Sequence, residues 1–137
     1  MNKGQRFTFN KEERVTGLKR IENLFANGQS FIAYPFRVIF VETDFPASTP
    51  ISMMVSIPKK RIRSAVGRNQ MKRRLREAYR LNKHLFDPLL IPGGLHLDIA
   101  FVYVKDDLSE FTDVQKSVQK AVRNIQERLL TDRKQKE

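Results

Sequence analysis

Apolar residues recur along this chain with two periods, and the switches between them mark out its elements. Leu18, Ile21, Leu24 and Phe25 form a helical stripe, and Asn27-Gly28 predicts a left-handed stop after it. From Phe31 to Val41 nearly every residue is aromatic or β-branched, which predicts one long strand. Period-two alternation puts Phe31, Ala33, Pro35, Arg37, Ile39 and Val41 on one of its faces, and Ile32, Tyr34, Phe36, Val38 and Phe40 on the other. Residues 44–50 predict a loop by their Asp, Ser, Thr and Pro content. Ile51, Met53, Val55 and Ile57 alternate with smaller or polar residues in a second strand that Pro58 ends. Val66 to Phe86 is helical by pattern, broken by Pro88, Pro92 and Gly93-Gly94 before a buried strand from Leu97 to Val104. Asp107 or Ser109 is positioned to cap a last helix that carries Phe111, Val114, Val118, Ala121, Val122, Ile125 and Leu129 on one side. The order is helix, two or more strands, helix, strand, helix, an α+β pattern in which the Val66–Phe86 helix crosses between two strands. Residues 1–13 predict a flexible N-terminal segment, 14–130 a single domain, and 131–137 a polar tail.

Charge changes this picture most. The 137 residues hold 26 Lys and Arg against 15 Asp and Glu, a net charge of +11, which favours a polyanionic partner. Hydrophobic residues make up 40% of the chain, enough for one core. Cysteine is absent, which excludes disulfides, zinc-thiolate sites and a thiol nucleophile. The longest apolar run, Ile99 to Val104, is far short of the ~20 residues of a membrane span. The N-terminus also lacks the apolar stretch of a secretory signal. The expectation is a cytoplasmic protein with no membrane partner and no small-molecule substrate.

The charge is concentrated in Lys59–Arg80, where 22 residues hold ten Lys or Arg and a single acid, Glu77. At ~100° per residue, Met71, Leu75, Ala78, Asn82 and Leu85 form one stripe of this helix. Arg68, Asn69, Lys72, Arg73, Arg76, Arg80 and Lys83 form another, and only Arg74 lies away from both. Solvated faces interleave both signs, whereas this stripe is nearly all cationic, as a nucleic-acid surface requires. A membrane-surface helix would add bulky aromatic anchors to its apolar side, and this stripe has no Trp.

The segment Arg68-Asn69-Gln70-Met71-Lys72-Arg73-Arg74-Leu75-Arg76-Glu77-Ala78-Tyr79 resembles the "RNR" signature of the protein subunit family of bacterial ribonuclease P. Val55-Ser56-Ile57-Pro58-Lys59-Lys60, Ala65-Val66, the Ile21, Leu24-Phe25, Gly28 and Ser30 set, and Gly94 to Ile99 resemble its other landmarks in order, from about Arg14 to Leu130. Two features depart from the family. Arg61-Ile62-Arg63-Ser64 stands where a Gly is common and is one residue longer, and Ile21 stands where many members carry an aromatic residue.

The resemblance implies a single α+β domain with three helices and a mixed sheet of about four strands, ordered α-β-β(-β)-α-β-α, with the basic helix as a left-handed β-α-β crossover. It implies that a catalytic RNA subunit, using magnesium, hydrolyses the phosphodiester that releases the 5′ leader of precursor tRNA. The signature helix and nearby loop would meet that RNA, which assigns Lys59, Lys60, Arg61, Arg68, Asn69, Lys72, Arg73 and Arg76 to it. A cleft between the first helix and the sheet would hold the single-stranded leader, lined by Ile21, Phe25, Phe36, Arg37 and Ile39. Arg and Lys suit phosphates, Asn69 a sugar or base edge, and Phe25 a stacked base. Ordinary core packing is the other reading of Phe25 and Ile39. No catalytic or metal-ligating residue is expected in the chain itself. His84 and His96 lack metal-ligand spacing, and Asp106, Asp107, Glu110 and Asp113 sit where a helix start favours acids. A structural ribosomal protein and a DNA-binding architectural protein share this composition but not the ordered landmarks.

Overall fold

The computed structural model describes residues 14–43, 51–85 and 96–136, with side chains as far as 131. The elements are α1 (Leu18–Asn27), β1 (Gln29–Ala33), β2 (Phe36–Thr43), β3 (Ile51–Ser56), α2 (Ala65–Asn82) with a short 3-10 turn (Lys83–Leu85), β4 (His96–Tyr103) and α3 (Phe111–Lys136). The strands form one sheet in the order β1-β2-β4-β3. β2 is antiparallel to β1 and β4, while β3 and β4 run parallel, joined through α2. This is the mixed four-stranded α+β arrangement expected.

β4 holds the centre, and its residues are buried on both faces. On one face Phe36, Val38 and Phe40 of β2 and Leu97, Ile99, Phe101 and Tyr103 of β4 meet Met71, Leu75 and Ala78 of α2 and Val114, Val118 and Ile125 of α3. Phe36 stands edge-on to Phe101, with ring centroids 5.9 Å apart, and to Tyr103 at 5.2 Å. On the other face Ile39 and Ala100 are covered by Leu24, the one buried residue of α1. Outside the sheet's two edges lie further contacts. Arg14 bridges to Met53 in parallel with β3, and Val15 N–H donates to the Met53 carbonyl at 3.1 Å. At the β1 edge Arg128 of α3 sits 5.0 Å from the Phe31 ring centroid and donates to the Ser30 carbonyl at 3.4 Å.

Several expectations need correction. The predicted strand from Phe31 to Val41 is a hairpin, because Tyr34-Pro35 forms a two-residue turn, with a cis peptide, between the paired Ala33 and Phe36. Proline has no N–H for a ladder, so its place inside an apolar run marked the break. The turn also shifts the alternation, so Ala33 joins Phe36 on the core face and Ile32 pairs beside Arg37 on the other. α2 ends at Asn82, and the 3-10 turn carries Leu85 out of the stripe to 44% exposure, while Tyr79 is buried in the core instead. Neither Asp107 nor Ser109 caps α3, which begins at Phe111; the Ser109 hydroxyl pairs with the Tyr103 hydroxyl at 2.7 Å. α3 continues to Lys136, so residues 131–136 are helical. The expectations for residues 1–13, 44–50 and 86–95 lie outside the described residues.

Glycine roles also reverse. Gly17, ahead of α1, has φ 91°, in the left-handed region, whereas Gly28 after it has φ −77° and is extended. Gly28 is required by close approach: an added Cβ would lie 2.4 Å from the Leu24 carbonyl and 2.7 Å from Ile39 Cγ2. Gly28→Ala should therefore destabilise the chain by about 1–3 kcal/mol through overpacking, read as a lower melting temperature. Gly17→Ala should also destabilise it, through φ alone, because nothing lies within 4 Å of its added Cβ.

Two candidate nucleic-acid surfaces

α2 forms because Ser64 caps it, its hydroxyl accepting from Gly67 N–H at 2.8 Å, and because its apolar stripe is buried in the core. The cations on its other side divide by what they touch. Arg68 donates to the Ile62 carbonyl at 3.0 Å and the Arg63 carbonyl at 2.8 Å, so it ties down the loop that departs from the family pattern. Arg74 donates to the Ser109 carbonyl at 2.6 Å, which fixes the approach to α3. Arg80 pairs with Glu77 at 2.5 Å, and Arg61 with Asp106 at 3.1 Å. Lys59, Lys60, Asn69, Lys72, Arg73 and Arg76 make no such bond to another described residue. Asn69, Lys72, Arg73 and Arg76 line one open depression with Arg14, Glu77 and Arg80.

Arg14 is the member that sequence reasoning missed. It stands at the edge of a segment without periodicity, and its bridge to Met53 brings it beside α2. Partial burial, and then the Arg14 charge, push the Arg76 guanidinium below its ordinary range. Arg68, Lys72, Arg76 and Arg80 follow at four-residue intervals, so like charges crowd along one line. A polyanion laid on that line would relieve the repulsion.

The opposite face of the sheet carries the second surface. Phe25 is 46% exposed and Ile21 half-buried on α1, while Arg37 is exposed on β2, its Nη2 3.4 Å from Ser30 Oγ. Ile39 is 3% exposed beneath Leu24, so it supports this surface rather than forming it. Phe36 does not belong here: it is fully buried on the α2–α3 face, because residues one apart on a strand point to opposite sides. Beside Arg37 the register places Ile32, which is 52% exposed, and Val102, giving an apolar row with a cation in it. Ile32 went unrecognised because the single-strand reading put it on the opposite face from Arg37.

α1 reaches the sheet through a buried polar group as well. Asp98 on β4 has no exposed side-chain surface and accepts from Arg20 Nη2 at 2.5 Å and Arg20 Nε at 3.3 Å. His96, 3% exposed, places Nε2 3.0 Å from the same carboxylate. Burial pushes the Asp98 carboxyl up, but the hydrogen bonds from His96 and Arg20, with their charges, outweigh it and hold the carboxyl below its ordinary range. Nothing local in the sequence pairs Arg20 with His96 and Asp98, more than 70 positions away. Among the described residues, no group of three or more His, Cys, Asp or Glu is placed to hold a metal ion, and no helix is long and apolar enough to cross a membrane.

Replacing Lys72 and Arg76 together by Ala should leave the melting temperature near that of the parent chain, since neither side chain bonds another described residue and Ala favours the helix. RNA affinity should fall and its salt slope flatten by ~0.7–0.9 per lost phosphate contact. Arg68→Ala should instead lower stability by about 1–3 kcal/mol, because two loop carbonyls lose a charged donor. Asp98 is ionised more readily folded than unfolded, so its stabilisation is complete above pH ~5 and is lost as the pH falls through its lowered folded value. The stability gap between the parent chain and Asp98→Asn should therefore be widest near neutral pH and close in acid, as denaturant titrations at several pH values would measure.

Both the sequence and the fold have counterparts among known proteins. The sequence model of the Ribonuclease P family matches residues 9–126. A Ribonuclease P protein component from Porphyromonas gingivalis is 40% identical over 119 residues, covering 87% of this chain and 87% of its own length. One from Clostridioides difficile is 32% identical over 113 residues, covering 80% of this chain and 91% of itself. The solved RNase P protein from Thermotoga maritima has a TM-score of 0.64 at 20% identity, covering 82% of this chain and 96% of its own. That from Staphylococcus aureus has a TM-score of 0.62 at 22% identity, covering 82% and 94%. The structural likeness is one of fold, and the sequence match spans nearly the whole chain. This chain belongs to the ribonuclease P protein family.

Proposed function

We propose that this chain serves as the protein component of ribonuclease P, binding the catalytic RNA through α2 and the single-stranded 5′ leader of precursor tRNA through the α1 face. The observation that carries the reading is the separation of the two surfaces. The unbonded cations Lys72, Arg73 and Arg76 project from one covering helix. Exposed Phe25, Arg37 and Ile32 lie on the other side of the same sheet.

Each surface has the chemistry its ligand needs. A folded RNA presents phosphates, which Arg clamps with two donors and Lys meets as a point charge, while Asn69 suits a sugar or base edge. Lys59 and Lys60 are exposed on the loop before α2, where Lys60 lines a second depression with Arg61, Arg63 and Asp106. A single strand presents bases as well, so its groove needs an aromatic or apolar surface beside a cation. Phe25 offers the ring, Ile21 and Ile32 the apolar flanks, and Arg37 the charge. Under this reading magnesium and the hydrolytic step belong with the RNA subunit, and the chain's residues bind and orient.

The test is reconstitution: the purified chain is added to its cognate catalytic RNA at low magnesium and leader release is followed. The complex should cleave, and the chain alone should not. In the complex, Phe25→Ala and Arg37→Ala should each weaken binding of precursor tRNA, Phe25→Ala by about 1–3 kcal/mol for a lost stacking surface. Affinity for mature tRNA, which has no leader, and assembly with the catalytic RNA should barely change. Equal losses for precursor and mature tRNA would overturn the leader assignment.

A further inference from the structure

α1 is a ten-residue helix with one buried apolar side chain, Leu24. Apolar packing of one side chain is non-directional, and Gly28 holds only the C-terminal end of the helix against Ile39, so neither contact fixes the roll of its first turns. Yet the surface proposed for the leader depends on that roll. Ile21 and Phe25 lie four residues apart on one line of α1, and Arg20 and Leu24 on a second line ~100° away. The second line faces the sheet: Leu24 packs on Ile39 and Ala100, and Arg20 reaches Asp98, two residues before Ala100 on β4. Any roll that moves Arg20 off Asp98 moves Phe25 relative to Arg37.

Arg20 supplies the direction that Leu24 cannot. Its Nη2 and Nε meet the two oxygens of Asp98 at 2.5 Å and 3.3 Å, a forked contact that fixes the plane of the guanidinium. His96 holds the carboxylate from the other side, its Nε2 3.0 Å from Oδ1. That nitrogen is also 3.3 Å from Arg20 Nη2, but it cannot both donate to the carboxylate and accept from the guanidinium. The shorter contact, to the charged acceptor, makes it a donor to Asp98. The Asp98 and His96 side chains are almost wholly removed from solvent, and that of Arg20 is 20% exposed. The network is therefore well placed to set orientation and poorly placed to touch RNA itself.

We infer that Arg20, held by Asp98 and His96, is a positioning residue for the leader: it fixes the roll of α1 and thereby the placement of Phe25 and Ile21 beside Arg37. This inference rests on the leader reading of the α1 face. A consequence separates it from plain stabilisation. Once α1 is free to roll, Phe25 no longer meets its base, so the effect of removing Phe25 disappears.

The experiment is a double-mutant cycle in the assembled complex with catalytic RNA, reading affinity for precursor and mature tRNA beside the melting temperature. The paired variant Arg20→Met with Asp98→Asn removes both charges together, so no carboxylate is left buried and unpaired. In the parent background Phe25→Ala should weaken precursor binding about tenfold or more. In the paired background precursor binding should already be about tenfold weaker, and adding Phe25→Ala should change it by less than about twofold. Mature tRNA affinity should stay within about twofold throughout, on the scale of ordinary additivity error. Arg20→Lys retains the charge pair but not the fork; it should fold even if the paired variant does not, and should show a reduced effect of Phe25→Ala. A full effect of Phe25→Ala in both altered backgrounds would overturn the positioning role while leaving the leader reading intact. No selective effect of Phe25→Ala in the parent chain would overturn both. Equal losses for precursor and mature tRNA with a lowered melting temperature would reduce the network to a structural brace.

Discussion

A row of like charges at helical spacing opposes the helix that carries it, and α2 tolerates Arg68, Lys72, Arg76 and Arg80 only because its other side is fixed in the core. Met71, Leu75, Ala78 and Tyr79 are each at most 1% exposed against the sheet and α3. That burial orients the cations outward together, and it also fixes β3 and β4 as parallel neighbours through the crossover. The parallel pairing of β3 with β4, the burial of β4 on its α2 side and the crowding around Arg76 all depend on this one helix being locked along one stripe.

The cations on α2 and its preceding loop differ in ways a count conceals. Arg68 and Arg74 spend their donors on backbone carbonyls of the flanking loops, and Arg80 and Arg61 on neighbouring carboxylates. These contacts hold the helix ends and its surroundings in place. Lys72, Arg73 and Arg76 bond no other described residue, and Arg14 is delivered beside them from a separate strand-like segment. A helix that carries charge for two purposes needs both groups: the bonded cations set the geometry in which the unbonded ones are presented.

Periodic features were legible in the sequence. The apolar stripes of α2 and α3 and the alternation of β3 depend on neighbours a few residues apart, and the ordered landmarks pointed to the family. What escaped depends on residues far apart or on backbone shape. Arg20 meets His96 and Asp98 across more than 70 positions, and no local pattern pairs it with them. Tyr34-Pro35 looked like two residues of one strand, yet the turn it makes moves Ile32 beside Arg37 and leaves Phe36 in the core. Gly28 was read by its commonest use, a left-handed stop, when the site needed only the absence of a side chain against Ile39.

The two outer strands bear on a different problem. An unpaired strand edge is a template for association with another chain, and a strongly basic protein cannot count on its RNA being present at every moment after synthesis. Here each outer strand is already engaged on its outward side: β3 by the Arg14–Val15 segment at Met53, and β1 by Arg128 at the Ser30 carbonyl and over the Phe31 ring. The net charge of +11 adds repulsion between copies of the chain to these two edge contacts. The molecule is thus guarded against self-association by the same excess of cations that suits it to RNA.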